Sequence, residues 1–290
     1  MGERVHLSAA IELTRPHNCL LAGAAVAVGA IVASGGFSSL ELAKIALAFA
    51  VACVISGAGN AINDYSDRKI DATNKPWRPI PSGRIDERAA LSLSIGLFVV
   101  GIAVSSLVNL PAFLLACFNS LVLVAYACHL KRCGLAGNIA IGYLVGSTFL
   151  FGGLTVGEVG AVGGAVGVLS AMAALSTAGR ELVKDVEDMP GDRKLGARTF
   201  PIKHGERAAA ALSGALVLAA VLLSPLPYLL GILGWQYLWI VFCSVVVFVG
   251  GSALMIHDPA RETAGRVSFM YKLAMGIGLL AFLVGALSAS

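Results

Sequence analysis

Residues 40–71 read LELAKIALAFAVACVISGAGNAINDYSDRKID, an apolar run that passes directly into a row of acids. The apolar part, residues 40–62, is long enough to cross a membrane, for which a helix needs about 20 residues. Asn63, Asp67 and Asp71 follow at intervals of four, which places three oxygen-bearing side chains on one face of a helix. Because a carboxylate in contact with lipid is costly, we expect this face to turn toward the interior of a helix bundle.

The composition of the whole chain leads to the same class of protein. Of the 290 residues, 57% are hydrophobic and 13% are charged, about half of the charged fraction that is usual in soluble proteins. A soluble domain of this size could not bury so much apolar surface, which excludes a water-soluble enzyme and a disordered chain. The six cysteines are scattered without a CxxC pair, which argues against a disulfide scaffold and a cysteine metal site.

Eight further apolar runs resemble residues 40–62 in length and composition. Together the nine runs predict an all-α, polytopic membrane protein with nine transmembrane helices. Short hinges rich in Gly or Pro are expected at residues 35–39, 109–111 and 155–158, and at Pro225 and Pro227. The runs lie near residues 17–34, 40–62, 89–108, 111–130, 135–154, 159–182, 207–224, 229–256 and 268–288.

The charged residues fall almost entirely on one side of this predicted bundle. Of the 21 Lys and Arg residues, 20 belong to the N-terminal segment or to boundaries that follow even-numbered spans, and Lys44 is the exception. Of the 17 acids, Glu41 and Glu158 belong to the other side. The positive-inside rule makes the charged side a polar cytoplasmic cap on a multi-pass protein of the cell membrane, with the N-terminus inside and the C-terminus outside.

A second acidic stretch, RELVKDVEDMPGD at residues 180–192, follows the sixth apolar run. Asp185 and Asp188 share a helix face by their spacing. Pro190 is expected to bend or end the helix, so that Asp188 and Asp192 converge through a broken helix end. Two rows of oxygen ligands suit Mg²⁺, which uses one or two carboxylates and takes phosphate oxygens and water as its other ligands. A solvated loop of balanced charge is the alternative for either row taken alone.

Basic residues lie close to the acidic rows in the sequence. The segment NKPWRPIPSGR at residues 74–84, here called the proline strap, holds three prolines that predict a stiff, non-helical connection presenting Lys75 and Arg78 to the acidic helix end. Such cations suit a phosphate group, which would bridge them to bound metal. Two smaller basic points either bind an anion or only orient the protein. They are Lys131 and Arg132, with Tyr126 nearby, and Arg15, with Asn18 nearby.

The chain also contains an internal similarity. Two Asp-x-x-x-Asp pairs lie 121 residues apart, and the ERAA segment that follows each pair recurs after 119 residues. Repeats of this kind in membrane proteins tend to place a shared site at their interface. We therefore predict a single domain over residues 1–290 with two related halves, about 15–130 and 135–256, and an appended ninth helix at about 268–288.

These motifs resemble those of the UbiA-type intramembrane prenyltransferases. That family carries N-x-x-x-D-x-x-x-D after its second helix and D-x-x-x-D after its sixth. The matching residues are Asn63, Asp67 and Asp71, and then Asp188 and Asp192. The resemblance covers about residues 15–290, and it implies nine helices around an intramembrane chamber.

The resemblance implies a Mg²⁺-dependent transfer of a prenyl group from an isoprenoid diphosphate to a lipid acceptor in the membrane. Both motif stretches are most similar to the archaeal ether-lipid branch of the family, which implies transfer of a geranylgeranyl group to the hydroxyl of geranylgeranylglyceryl phosphate. Alternatives are an aromatic acceptor, as in quinone, haem or chlorophyll pathways, and, in another class, a secondary transporter. Transporter acids tend to lie near the bilayer midplane, whereas these cluster at one face. A nucleic acid partner is not expected, and the oligomeric state stays open.

The site residues that the resemblance implies form three sets. The metal ligands are Asn63, Asp67, Asp71, Asp188 and Asp192. The catalytic carboxylates are Asp64, Asp67, Asp71, Asp185, Asp188 and Asp192, with Asp64 or Asp185 as proton acceptor. The groups that bind the diphosphate or an acceptor phosphate are Arg15, Asn18, Lys75, Arg78, Tyr126, Lys131, Arg132 and Lys184. Tyr126 departs from the family pattern, because it precedes Lys131 by five residues where many members have four.

Overall fold

The structure, a computed structural model, describes residues 7–34, 39–156, 162–194 and 196–288. In these ranges the regular structure is helical and contains no β-strand. Residues 35–38 and 157–158 of the predicted hinges lie outside the described residues, and residues 155–156 belong to the last turn of α6. The α-helices are α1 Leu7–Thr14, α2 Pro16–Ser34, α3 Ser39–Asn74, α4 Glu87–Ser105, α5 Leu110–Cys128, α6 Leu135–Val156, α7 Gly167–Lys194, α8 Phe200–His204, α9 Glu206–Leu223, α10 Leu226–Leu229, α11 Gln236–His257 and α12 Arg261–Ser288.

Nine helices in the described part of the chain are long and apolar enough to cross a membrane. They are α2 to α7, α9, α11 and α12. This confirms the prediction of an all-α, multi-pass membrane protein.

Several helices extend beyond their apolar runs or begin elsewhere than predicted. α3 continues past its apolar run to Asn74, so the whole first acidic row lies on one continuous helix. The helix ends at Asn74 because Pro76 disfavours helical backbone at the residue before it, Lys75. α12 begins earlier than predicted, at Arg261. The sequence predicts one continuous run over 229–256. In the structure the short helix α10 ends at Leu229, and α11 begins only at Gln236.

Pro190 neither ends nor breaks α7, so the prediction of a broken helix end is wrong. Asp188 and Asp192 remain one turn apart on a continuous helix. A proline in a helix removes one backbone hydrogen bond. Here the missing bond would join Pro190 to the carbonyl oxygen of Val186. The helix persists because Val186 and Met189 are buried against neighbouring helices.

The inner helices approach each other closely at glycines. Gly29 of α2 lies against the backbone of Phe149 in α6, and Gly152 of α6 lies against the backbone of Val26 in α2. A Cβ atom at either glycine would lie within 2.2 Å of a carbonyl oxygen, so a larger side chain does not fit. Small residues let membrane helices pack at short range in this way. The contact joins the two predicted halves of the chain, whose relation as repeats stays a prediction.

The charged segments meet at one end of the bundle. Arg84 of the proline strap forms an ion pair with Glu12 of α1 at 2.5 Å. The backbone N–H of Arg198, which follows α7, donates to the carbonyl oxygen of Arg132, which follows α5. Arg261, at the start of α12, donates from Nε to a carbonyl oxygen of α7 at 3.1 Å. In the described structure these segments form one polar cap, as the distribution of cations predicts.

Candidate active site

A cavity of about 860 Å³ lies inside the bundle, next to the polar cap. Its walls come from α2, α3, α5, α6, α7, α9, α11 and α12, and most of the lining side chains are apolar, as at Ile55, Leu144 and Phe282. A long hydrocarbon chain fits such a space. The charged and amide residues that line it include Arg15, Asn18, Asn63, Arg180, Glu181, Lys184 and Lys272.

The proline strap delivers one arginine to two buried carboxylates of α3. Asp64 and Asp71 are 6% and 4% exposed. Arg78 Nη1 lies 3.2 Å from Asp64 Oδ1 and 2.6 Å from Asp71 Oδ2. The strap is non-helical, as its prolines predict. Lys75, by contrast, is exposed, and no ion pair is formed by its side chain within the described residues.

Arg15 reaches the same acidic row from the other side. It lies at the break between α1 and α2, and its guanidinium group donates to Asp64 Oδ1 at 2.5 Å. Its φ of 52° lies in the left-handed region, which residues other than glycine rarely adopt. Such backbone strain tends to persist where a side chain must be held in place.

Lys131 contacts the less buried members of the first row. Its Nζ lies 2.5 Å from Asp67 Oδ1 and 3.2 Å from Asn63 Oδ1. Burial lowers the pKa of the Lys131 ammonium group, and the charge of Asp67 acts in the opposite direction. The residue belongs to the 3₁₀ turn Leu130–Arg132 after α5. Tyr126 lines the main cavity and also a small polar pocket that Lys131 lines, so the spacing of five residues still brings the two together.

The second acidic row lies close to the first. Asp188 is exposed and Asp192 is half-buried. Among the described residues, neither carboxylate forms an ion pair or a side-chain hydrogen bond with the protein. Asp192 lies within electrostatic range of Asp67 and Arg132. The fold therefore brings the two Asp motifs together, although 121 residues separate them.

Asp185 precedes Asp188 by about one turn of α7, on the side of the membrane-spanning part of the helix. It accepts a hydrogen bond from Asn138 Nδ2 of α6 at 2.9 Å. Asn138 is buried, and its Oδ1 has no hydrogen-bond partner in the described structure. Both residues line the small polar pocket of about 10 Å³ with Tyr126 and Lys131, which is about the volume that one water molecule needs.

Three polar residues near the cavity are absent from the site predicted by sequence. Arg180 and Glu181 form an ion pair on α7 at 2.6 Å, and the predicted Lys184 lies 3.9 Å from Glu181. Asn138 belongs to an otherwise apolar stretch of α6. A charged or amide side chain within a membrane span is a candidate functional residue by default, and that signal is present at all three positions.

The donors of the two rows fit Mg²⁺ by their chemistry. Carboxylate and amide oxygens are the ligands it prefers, and one or two protein carboxylates suffice when phosphate oxygens and water complete its shell. Within the described residues, no group of three or more His, Cys, Asp or Glu side chains converges as a ready-made metal cage. In the described structure the carboxylates of Asp188 and Asp192 also have no direct ion-pair partner. Both observations favour metal that binds together with a diphosphate over a permanent structural ion.

In the described structure, nine membrane-length helices form a bundle with an apolar cavity next to the two Asp motifs, which is the architecture that the sequence resemblance implies. Residues 22–275 match the sequence model of the UbiA prenyltransferase family, and the chain belongs to that family. Family membership decides against the secondary transporter.

Relatives within the family are similar over nearly their whole length. A protein from Methanococcoides burtonii named digeranylgeranylglyceryl phosphate synthase is 43% identical over 282 residues, 95% of this chain and 99% of that protein. A solved structure of digeranylgeranylglyceryl phosphate synthase in membranes is 40% identical, with a TM-score of 0.81, and the match covers 97% of this chain and 99% of the other. The resemblance to the archaeal ether-lipid branch is confirmed.

A more distant structure shares the fold. It is a UbiA homologue from Archaeoglobus fulgidus bound to DMAPP and Mg²⁺, 17% identical, with a TM-score of 0.65. The match covers 95% of this chain and 99% of that chain. At this identity the likeness shows the common architecture, and the bound Mg²⁺ belongs to the homologue.

Proposed function

We propose that this chain transfers the geranylgeranyl group of geranylgeranyl diphosphate to the hydroxyl of geranylgeranylglyceryl phosphate, forming an ether. The observation that carries the proposal is the form of the site, an apolar cavity of about 860 Å³ that adjoins the polar end where the two acidic rows meet. Relatives named digeranylgeranylglyceryl phosphate synthase that match nearly the whole chain support the same acceptor.

The donor lies with its tail in the cavity and its diphosphate between the acidic rows. Mg²⁺, when bound there, supplies Lewis acidity that stabilises the departing pyrophosphate. The residues that would hold it are Asn63, Asp67, Asp71, Asp188 and Asp192. The residues that would bind the diphosphate or the acceptor phosphate are Arg15, Asn18, Lys75, Arg78, Tyr126, Lys131, Arg132 and Lys184.

The reaction breaks the bond between C1 of the donor and a diphosphate oxygen, and it joins C1 to the hydroxyl oxygen of the acceptor. Negative charge develops on the leaving oxygens, next to Arg78 and Lys131. Because Asp71 and Asp67 already hold these two cations in place, little reorganisation is needed as the charge develops. This step leaves an allylic cation on the prenyl chain. Water would react with the cation, and the apolar walls of the cavity keep water away from it.

The acceptor hydroxyl loses its proton as the ether forms, and Asp185 is the better placed of the two predicted acceptors. Asp64 Oδ1 is held between Arg15 and Arg78. Asp185 accepts one neutral hydrogen bond at Oδ2 from Asn138, so its Oδ1 is available for the proton. Asp64 therefore positions the two arginines, and Asp185 takes the proton.

The proposal is tested by mass spectrometry of reaction products. Purified protein, Mg²⁺ and geranylgeranyl diphosphate are mixed with a panel of lipid and aromatic acceptors. We expect an ether product with geranylgeranylglyceryl phosphate and no prenylation of 4-hydroxybenzoate. Prenylation of an aromatic ring without any ether product would overturn the assignment of the acceptor.

We also propose that the polar cap faces the cytoplasm, since most of the 21 Lys and Arg residues belong to its segments. Cys133 is exposed and lies next to Arg132 of the cap. An impermeant thiol reagent should label Cys133 in inside-out vesicles and not in intact cells, and Cys133→Ser should remove that labelling. A tag fused after Ser290 should be accessible in intact cells. Finding Cys133 and the tag on the same side contradicts this topology.

A further inference from the structure

We propose that Arg180 and Lys272 form a subsite for the phosphate group of the acceptor lipid, on the wall of the cavity made by α7 and α12. Both residues line the cavity. The inference rests on the proposed function, because it concerns an acceptor that carries its own phosphate.

A phosphate-bearing acceptor brings a second anion into a site that already holds a diphosphate. The cations beside the first acidic row are held at that row, Arg78 by Asp64 and Asp71, and Lys131 by Asp67. Their positions suit the diphosphate at that row. A separate phosphate needs cations elsewhere in the cavity.

The contacts of Arg180 place it beside Lys272. Arg180 Nε donates to the carbonyl oxygen of Ser268 on α12 at 3.4 Å. Ser268 and Lys272 are four residues apart on that helix, hence on one face and about 6 Å apart along its axis. Helical side chains lean toward the N-terminus of their helix. Since α12 begins at the polar cap, the Lys272 side chain leans back toward the level of Arg180.

The charges on this wall leave a positive surplus. Arg180 pairs with Glu181, which Lys184 also approaches at 3.9 Å. Within the described residues Lys272 forms no ion pair. It lies about 16 Å along α12 from Arg261, well inside the membrane-length helix and away from the polar cap. A cation at such a depth is costly unless it faces a polar cavity and an anion. A phosphomonoester would neutralise this positive charge, because it accepts several charge-assisted hydrogen bonds.

The proposed subsite lies at a useful distance from the chemistry. Asp185, the proposed proton acceptor, follows Arg180 by five residues on α7, about 7.5 Å along the helix axis. The phosphate and the free hydroxyl of the acceptor belong to the same three-carbon glycerol unit. Arg180 contacts α12 and Asp185 contacts α6, so the two residues lie on different sides of α7. A phosphate bound at Arg180 therefore fixes how deep the acceptor hydroxyl sits in the cavity.

The test compares Lys272→Gln with the wild type on two acceptors, geranylgeranylglyceryl phosphate and the same lipid without its phosphate. Lys272 is exposed and without an ion pair in the described structure, so its replacement leaves no buried charge. We expect the KM for the phosphorylated acceptor to rise about tenfold to a hundredfold and the KM for the donor to stay unchanged. On the acceptor without phosphate, the two proteins should behave alike. Lys272→Arg should restore most of the affinity.

Arg266→Gln is the matched control, because it removes an exposed cation from another face of the same helix. Its KM for both acceptors should equal that of the wild type. Calorimetric binding of the phosphorylated acceptor in EDTA, without donor, should show the same loss in Lys272→Gln. An unchanged KM in Lys272→Gln, or an equal loss on both acceptors, overturns the subsite. Failure of the wild type to use either glyceryl lipid would instead overturn the proposed function.

Discussion

Replacing Asp192 with asparagine is expected to lower turnover by more than about a thousandfold, which corresponds to about 4 kcal/mol of lost transition-state stabilisation. Asparagine keeps the shape of the side chain and removes its charge. In the described structure the Asp192 carboxylate has no ion pair with the protein, so the substitution breaks no contact that the fold needs. The loss should therefore appear in turnover at saturating donor, with thermal stability in detergent unchanged.

Glu262→Gln is the control for this substitution, since it also converts an exposed acid at the polar cap into an amide. It should leave turnover unchanged. EDTA should abolish the activity of the wild type, and added Mg²⁺ should restore it. Near-normal turnover in Asp192→Asn, or full activity in EDTA, would contradict the assignment of the second acidic row to metal binding.

Replacing Arg78 with glutamine is expected to cost stability as well as activity. The carboxylates of Asp64 and Asp71 are largely buried, and Arg78 contacts both of them. Removing one partner of such a buried ionic network costs about 3 kcal/mol in the free energy of unfolding. Loss of the cation beside the diphosphate should lower turnover about a hundredfold in addition.

A double variant separates the two effects of Arg78. Arg78→Gln leaves Asp71 unpaired, whereas Asp64 keeps its ion pair with Arg15. Adding Asp71→Asn removes that unpaired carboxylate, so the double variant should regain part of the lost stability without regaining turnover. Unfolding in detergent measures the first quantity, and a steady-state assay measures the second. Asp71→Asn alone is the reference for turnover, because Asp71 is itself a proposed metal ligand. We expect the double variant to be slower than Asp71→Asn, and equal turnover in the two proteins would show that Arg78 has only a structural role.

The parts of the site that depend on local spacing could be predicted from the sequence. Asn63, Asp67 and Asp71 lie on one helix face because the α-helix repeats every 3.6 residues, whatever surrounds it. Nine spans follow from the length and polarity of the apolar runs. The proline strap is non-helical because three prolines leave the backbone few alternatives.

The contacts that depend on packing could not be predicted in the same way. Arg15 pairs with Asp64 across 49 residues of sequence, and Asn138 pairs with Asp185 across 47. No local spacing indicates either pair. At Pro190 a local rule gives a wrong prediction. The rule predicts a break in the helix, and the burial of neighbouring side chains keeps the helix continuous.

The most direct measurement follows the oxygen atom of the acceptor hydroxyl. The acceptor, geranylgeranylglyceryl phosphate, is labelled with ¹⁸O at that hydroxyl and incubated with geranylgeranyl diphosphate, Mg²⁺ and purified protein. The masses of the products are then measured by mass spectrometry. We predict that the label remains in the lipid as the new ether oxygen and that the released pyrophosphate carries none. Label in a phosphate ester or in the pyrophosphate, or the absence of an ether product, would contradict transfer of the prenyl group to this hydroxyl.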